Sequence, residues 1–264
     1  EFIVCYAGTG ISLDSHFIKP GNVRVIEAGA DSLIPHLWRD GIIAAKSDKV
    51  AVTTAHCIPS ERWLDCALNV DLENHVGIGG AIDNDEKSNA QSWAIYILRY
   101  INFSSVEEYS IVNDIAADNA VYRRDDILKY QNELVLGFWE PTFHELFKKT
   151  GEQLLFEPNL RVIHKNLYGT KSFCAQRIAH GCAFGVHRGS KYGSLKLLMM
   201  IFLSPLIPLV FFNKLFRAAN SKLKNRRVLY KALPYLIVFL CAWAIGEAKG
   251  YFKAICYKKG KFSA

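Results

Sequence analysis

The chain has 264 residues, half of them hydrophobic and 12% aromatic, which is enough apolar material to bury a core and too much for a disordered tail. Its formal charge of +7 is spread unevenly: there are 17 Lys and Arg against 24 Asp and Glu up to His187, and 15 against 1 beyond it. Such a chain is one large domain or a domain with an appendage, and neither a peptide nor a repeat array. In chain order, residues 2–6 and 23–27 read as strands, and 34–45 as an amphipathic helix ahead of a third strand at 49–54. Glycines at 77–81 break the pattern before a helix from about 88 to 100. A polar loop follows, and residues 120–121 lead into RRDDILKY as a helix start. Residues 143–150 form a helix closed by Gly151, and 153–156 and 161–164 are short strands. Apolar runs alternating with helices predict an α/β domain over residues 1–187.

Residues 188–264 have a different texture. LLMMIFLSPLIPLVFF at 197–212 and ALPYLIVFLCAWAI at 232–245 carry no charge, yet each is shorter than the ~20 residues of a straight spanning helix. Between them stand Lys214, Arg217, Lys222, Lys224, Arg226, Arg227 and Lys231, placed to meet anionic lipid or the cytoplasm. These features predict a membrane-associated helical hairpin, shallow or spanning with its flanks. The alternative is two buried helices of a soluble domain. Nucleic acid is not the expected partner, because the charges bracket apolar runs instead of interleaving with stacking aromatics. The seven cysteines are irregularly spaced with no CxxC pair, so neither a disulfide framework nor a zinc ribbon follows, and buried thiols in a reducing compartment are expected.

Several segments carry a resemblance when taken in order: EFIVCYAGTG, VRVIEA, LWRDGIIAAKSDKVAVTTAHCIPSERWL, DNAVYRRDDI, GFWEPTFHELFKKTGEQLLFEPNLRVIH and CAWAIGEAKGYF. Together they resemble a family 2 glycosyltransferase of the membrane-associated bacterial type, over nearly the whole chain. The resemblance implies a GT-A nucleotide-diphospho-sugar transferase fold, with a mostly parallel sheet flanked by helices and membrane-associated helices at the end. It also implies that the family's first strand and helix are missing ahead of Glu1, which leaves the strand at 2–6 with an open edge. The implied activity is inverting transfer of a sugar from a nucleotide-diphosphate donor to a hydroxyl acceptor, in envelope or exopolysaccharide synthesis. The implied location is the cell membrane with the catalytic domain cytoplasmic. The alternative is a non-catalytic relative that binds or scaffolds at the membrane.

Inverting transfer needs a carboxylate to take the acceptor proton and a cation to stabilise the departing diphosphate. Glu140 is the candidate base: Phe138 and Trp139 precede it, apolar neighbours that would raise its pKa, and Pro141 follows at a helix start. The plainer reading is a first-turn carboxylate favouring the helix dipole. His144, one turn later, either positions the acceptor or a phosphate or lies on the same helix face. Where the family has two aspartates around one residue, this chain has Thr54, Ala55 and His56. His56 would then take the second ligand position for Mn2+ or Mg2+, which leaves metal dependence open. Tyr6, Gly8, Arg39, Gly41 and Thr54 fall where the family binds the nucleotide sugar. Tyr6 would stack on a base or fill the core, and Arg39 would pair with the diphosphate or be solvated. Asn119, Arg123, Trp139 and His144 fall on the acceptor side, a glycan or lipid-linked acceptor, and Arg124 shares the segment. The glycine-punctuated stretch around Gln176 and Arg177 reads as a lid over the donor.

Overall fold

The computed structural model describes residues 1–8, 23–104 and 108–260; Thr9 and Gly10, the end of the turn read as nucleotide-binding, lie outside them. Two compact units form. The first comprises residues 1–82 and 105–163, and the second residues 83–104 and 164–264. The division differs from a cut after residue 187, because two segments of the expected α/β domain, 83–104 and 164–187, belong with the apolar helices.

In chain order the elements begin with strands β1 (Phe2–Ala7) and β2 (Val23–Ala28), helix α1 (Ile34–Ala44) and strands β3 (Lys49–Thr53) and β4 (Cys57–Pro59). Next come α2 (Trp63–Asn69), β5 (Gly77–Asn84), α3 (Ala90–Tyr100), β6 (Ser110–Val112) and β7 (Asn119–Arg123). They are followed by α4 (Arg124–Leu128), α5 (Gln131–Leu134), α6 (Glu140–Lys149) and β8 (Leu154–His164). The chain then continues through α7 (Thr170–Ser190), α8 (Ser194–Leu203), α9 (Ile207–Lys222) and α10 (Arg226–Gly260).

In the first unit, FIVCYA and VRVIEA pair in parallel as a two-stranded sheet, Phe2 opposite Val23 through Ala7 opposite Ala28. Helix α1 packs on β1 closely enough that a Cβ on Gly41 would stand 3.3 Å from Cys5 Sγ. A six-stranded sheet has the order β3-β7-β5-β8-β4, with β6 paired to β8. Strand β7 runs antiparallel to both of its neighbours, β3 and β5, and β6 runs antiparallel to β8. The protein is therefore α/β with mixed sheets, and the expected mostly parallel sheet is corrected. Alternating helices and apolar runs reveal where strands lie but not which way they enter the sheet. A short return supplies an antiparallel partner as readily as a long crossover supplies a parallel one.

The stretch expected to break the pattern is the buried start of β5. A Cβ on Gly80 would sit 1.7 Å from the Leu160 carbonyl oxygen, and one on Gly79 2.4 Å from the Ile115 Cβ. Glycine here admits close neighbours to a central strand. The two short strands expected at 153–156 and 161–164 are one strand, β8. The core beneath the sheet gathers Val50, Val52, Tyr122, Phe138, Phe143 and Phe147, among others, and Phe138 lies 4.7 Å from Phe143 between ring centres.

The second unit is helical. The stretch read as a lid is the continuous 21-residue helix α7. Its glycines let it approach α10: a Cβ on Gly181 or Gly185 would lie 2.5 Å from the carbonyl oxygen of Trp243 or Glu247, respectively. Reciprocally, a Cβ on Gly246 or Gly250 would lie 2.3 Å from that of Ile178 or Cys182. Two helical stretches, Ser194–Lys222 and Arg226–Tyr257, are long and apolar enough to cross a membrane, with mean hydropathies of 2.2 and 1.9. They exceed the uncharged runs because the helices extend into the charged flanks. Pro205 lies in the turn Ser204–Leu206 and Pro208 in the first turn of α9, positions that proline tolerates. Only 11% of the first apolar window is buried in the protein, against 39% of the second, which fits buried core helices of a soluble domain poorly for the first stretch.

Candidate functional site

The first unit concentrates acids at the start of α6 and in the loop before β7. Trp139 caps α6 with extended backbone, Pro141 occupies its first turn, and Glu140 opens the helix. Its side chain turns inward, where Oε1 accepts a hydrogen bond from the Ala117 N–H at 3.1 Å. That N–H belongs to the loop carrying Asp114 and Asp118. Asp118 is 4% exposed, and its Oδ1 accepts from Thr54 Oγ1 at 3.0 Å, while Thr53 Oγ1 donates to the Asp118 carbonyl at 3.0 Å. Burial pushes the Glu140 carboxyl up to about 8, and the negative charges of Asp118 and Asp114 add to the rise. The N–H groups of Ala117 and of Glu140 itself act against it. Glu140 thus exchanges its proton close to neutral pH, the property required of a general base or acid.

One turn along α6, His144 is 4% exposed. Its Nδ1 contacts the Asp114 carboxylate, and its Nε2 lies 3.0 Å from the Tyr122 hydroxyl. A carboxylate only accepts, so Nδ1 is the donor to Asp114, and in that tautomer Nε2 accepts from the Tyr122 hydroxyl. Burial, and then the charges of Glu140, Asp114 and Asp118, hold the Tyr122 hydroxyl well above its usual range, so it stays protonated and donates. The Asp114 side chain is 55% exposed and that of His144 3%, so this chain of bonds runs from solvent into the core.

Of the residues singled out by sequence, Thr54, Glu140 and His144 come together here, joined through Asp118 and Asp114. Those two aspartates and Tyr122 were missed. Their signal was the DIAAD spacing just ahead of a strand, which reads as a polar loop until β7 and α6 are seen to flank it. Trp139 lies beside Glu140 in sequence, and its indole N–H donates to the Leu136 carbonyl at 2.9 Å. Asn119 is fully buried: its amide donates to the carbonyls of Ala81 at 3.0 Å and Leu160 at 2.8 Å and accepts from Trp63 Nε1 at 2.7 Å. It ties β5, β7, β8 and α2 together, which is a scaffold role and not an acceptor contact. Arg123 pairs with Asp126 and with Glu152, the latter at 2.5 Å. Arg124 donates to the carbonyls of Ile42 at 2.9 Å and Ile43 at 3.0 Å, satisfying the end of α1.

The residues expected at the nucleotide occupy β1, α1 and the start of the turn after β1. Tyr6 bonds to Glu27, its partner across the parallel pair, and partial burial with that bond raises its hydroxyl above the usual value. Gly8 has a φ of +139°, a conformation that favours glycine. Arg39 pairs with Asp40 at 2.8 Å and donates to the Val135 carbonyl at 2.9 Å, and Gly41 serves the α1 to β1 contact. His56 lies in the turn between β3 and β4. Among the described residues no three His, Cys, Asp or Glu side chains form a group able to hold a metal ion. The donor set around His56 therefore does not by itself fit a resident divalent cation. No protein-family model matches the chain, and no curated protein matches it significantly.

Proposed function

We propose that this protein is a membrane-associated inverting glycosyltransferase that moves a sugar from a nucleotide-diphosphate donor to a hydroxyl of a glycan or lipid-linked acceptor, in envelope or exopolysaccharide synthesis. The observation that carries the reading is Glu140: a carboxyl at a helix start, raised to about 8 by burial and two neighbouring aspartates, and matching the resembling segment that carries the base. In this reading Glu140 accepts the acceptor proton as the hydroxyl attacks the sugar C1, and the leaving diphosphate takes the bonding electrons. Arg39 is the cation assigned to the diphosphate, and Thr54, hydrogen-bonded to Asp118, is assigned to the nucleotide sugar. No step is routed through a metal. The long apolar helices seat the chain in the membrane, with the basic stretch 214–231 and the first unit on the cytoplasmic side.

The test is a panel of nucleotide sugars added to the full chain in neutral detergent, read by thermal shift and then by transfer of labelled sugar. At least one donor should raise the melting temperature and be consumed, and Glu140→Gln should abolish consumption while retaining the shift. A second reading, a non-catalytic scaffold, is favoured by the internal partners of Tyr6 and Arg39. A panel with no shift and no transfer favours that reading.

A further inference from the structure

We propose that the second unit binds the phosphate group of an anionic lipid in a cavity between α3, α7, α9 and α10. The cavity has about 220 Å³. That holds a phosphate and the first few methylenes of an alkyl chain but is too small for a whole lipid. Leu98, Leu215, Leu240 and Trp243 supply apolar wall, while Arg177 and Lys214 supply two positive charges. No acid is among the described lining residues. Arg177 is 9% exposed, with its guanidinium 5.1 Å from the ring centre of Phe173 and 5.3 Å from that of Trp243. A planar fork held between two rings is already ordered, so it can meet phosphate oxygens with little further loss of freedom. Lys222 Nζ donates to the carbonyl of Asn102, another lining residue, at 2.7 Å and fixes α9 against the rim.

The lining also indicates where the rest of the ligand goes. Phe211 lines the cavity yet is 45% exposed, and its neighbours Leu209 and Val210 are 62% and 67% exposed. An alkyl chain leaving the cavity therefore passes onto apolar surface of a helical stretch long enough to cross a membrane. A soluble phosphate would leave the apolar walls unused, and a neutral hydrocarbon would bring no charge to Arg177 and Lys214. The imbalance beyond His187, 15 basic residues against 1 acidic, draws the same class of ligand, an anionic amphiphile at a membrane surface. This inference rests on the second unit alone and holds whether or not the first unit transfers sugar.

The experiment uses the full chain in dodecyl maltoside and titrates three probes by calorimetry: dodecyl phosphate, dodecanol and inorganic phosphate. Dodecyl phosphate should bind saturably and at least 10-fold more tightly than either of the others. Arg177→Gln should weaken it at least 10-fold. Lys214→Gln should weaken it about 3-fold with an unchanged melting temperature, since Lys214 is exposed. Leu98→Trp, which fills the cavity, should block binding. Dodecanol binding equally well reduces the site to a greasy pocket, and inorganic phosphate binding equally well makes it a soluble-anion site; either overturns the proposal. So does binding that survives both Lys214→Gln and Leu98→Trp. Donor binding and Glu140→Gln turnover are read separately, so failure here is distinguishable from failure of the transferase reading.

Discussion

Each unit turns a helix glutamate inward, Glu247 buried within α10 and Glu140 half-buried at the start of α6, and the two are treated in opposite ways. Glu247 in α10 is 3% exposed and bonded by the Tyr251 hydroxyl, by Trp243 Nε1 at 3.0 Å and by Arg188, whose Nη1 lies 3.6 Å away. Glu140 in α6 has one backbone N–H for its carboxylate beyond its own, and two aspartates for neighbours. A buried carboxylate given donors and a cation is a strut. One given like charges holds its proton to higher pH and becomes a reagent. The same residue type thus braces helices in one unit and holds a proton near neutral pH in the other.

The largest effect should come from breaking the helix contact that surrounds Glu247. Gly250→Leu places side-chain atoms where even a Cβ would stand 2.3 Å from the Cys182 carbonyl and 2.8 Å from the Gly185 Cα. The clash should cost more than ~3 kcal/mol and unfold the second unit. Protease resistance of 164–264 in detergent is the readout, and resistance equal to the parent would mean that α7 and α10 can separate cheaply.

Glu140→Gln tests the other half of the comparison. Turnover should fall at least ~100-fold, about 2.7 kcal/mol of lost transition-state stabilisation, while donor affinity stays nearly unchanged. Stability should move the other way. A carboxyl raised from 4.5 to about 8 binds more proton folded than unfolded between those values, so its contribution to stability declines as pH rises through that window. The parent should therefore melt lower at pH 8 than at pH 5.5. Glu140→Gln lacks that component and should be the more stable of the two at pH 8. Parallel melting curves for parent and variant would remove the case for a perturbed Glu140, and if transfer is observed, its rate in the parent should climb towards pH 8.

Smaller changes sharpen the contrast between struts and reagents. Asn119→Ala leaves the Ala81 and Leu160 carbonyls and the Trp63 indole without their partner, a loss of about 2–4 kcal/mol in chemical denaturation. Glu247→Gln keeps a polar group at the Tyr251 and Trp243 contacts but removes the charge facing Arg188. It should cost about 1 kcal/mol and leave nucleotide-sugar binding unaltered. If it instead alters donor binding, Glu247 is more than a strut.

Much of the local structure was legible in the residues. FIVCYA and VRVIEA read as strands because β-branched and aromatic residues crowd them. The helix starting near Glu140 and closed by Gly151, which has a φ of +83°, was written in its proline and glycine. The charge divide and the two apolar runs announced a second region of different character, although α3 and α7 joined it unannounced. The candidate site was half legible. Glu140 stood out from its apolar neighbours, but nothing near it in sequence marked Asp118, Asp114 or Tyr122 as its surroundings.

What the chain determined by itself is what depends on neighbours a few residues away: strand and helix periods, turn glycines, the surplus of charge. Tertiary structure decided the rest. It reversed β7 between β3 and β5, turned the glycines of 77–80 from an apparent break into the buried start of a strand, and made Asn119 a crosslink. It also set the loop 114–118 against α6, and with it the charges that raise Glu140. The physical reason is that direction, close approach and electrostatic repulsion are properties of atoms that meet across tens of residues. A pKa set by burial and by Asp118, 22 positions before Glu140, exists only once the chain has closed on itself.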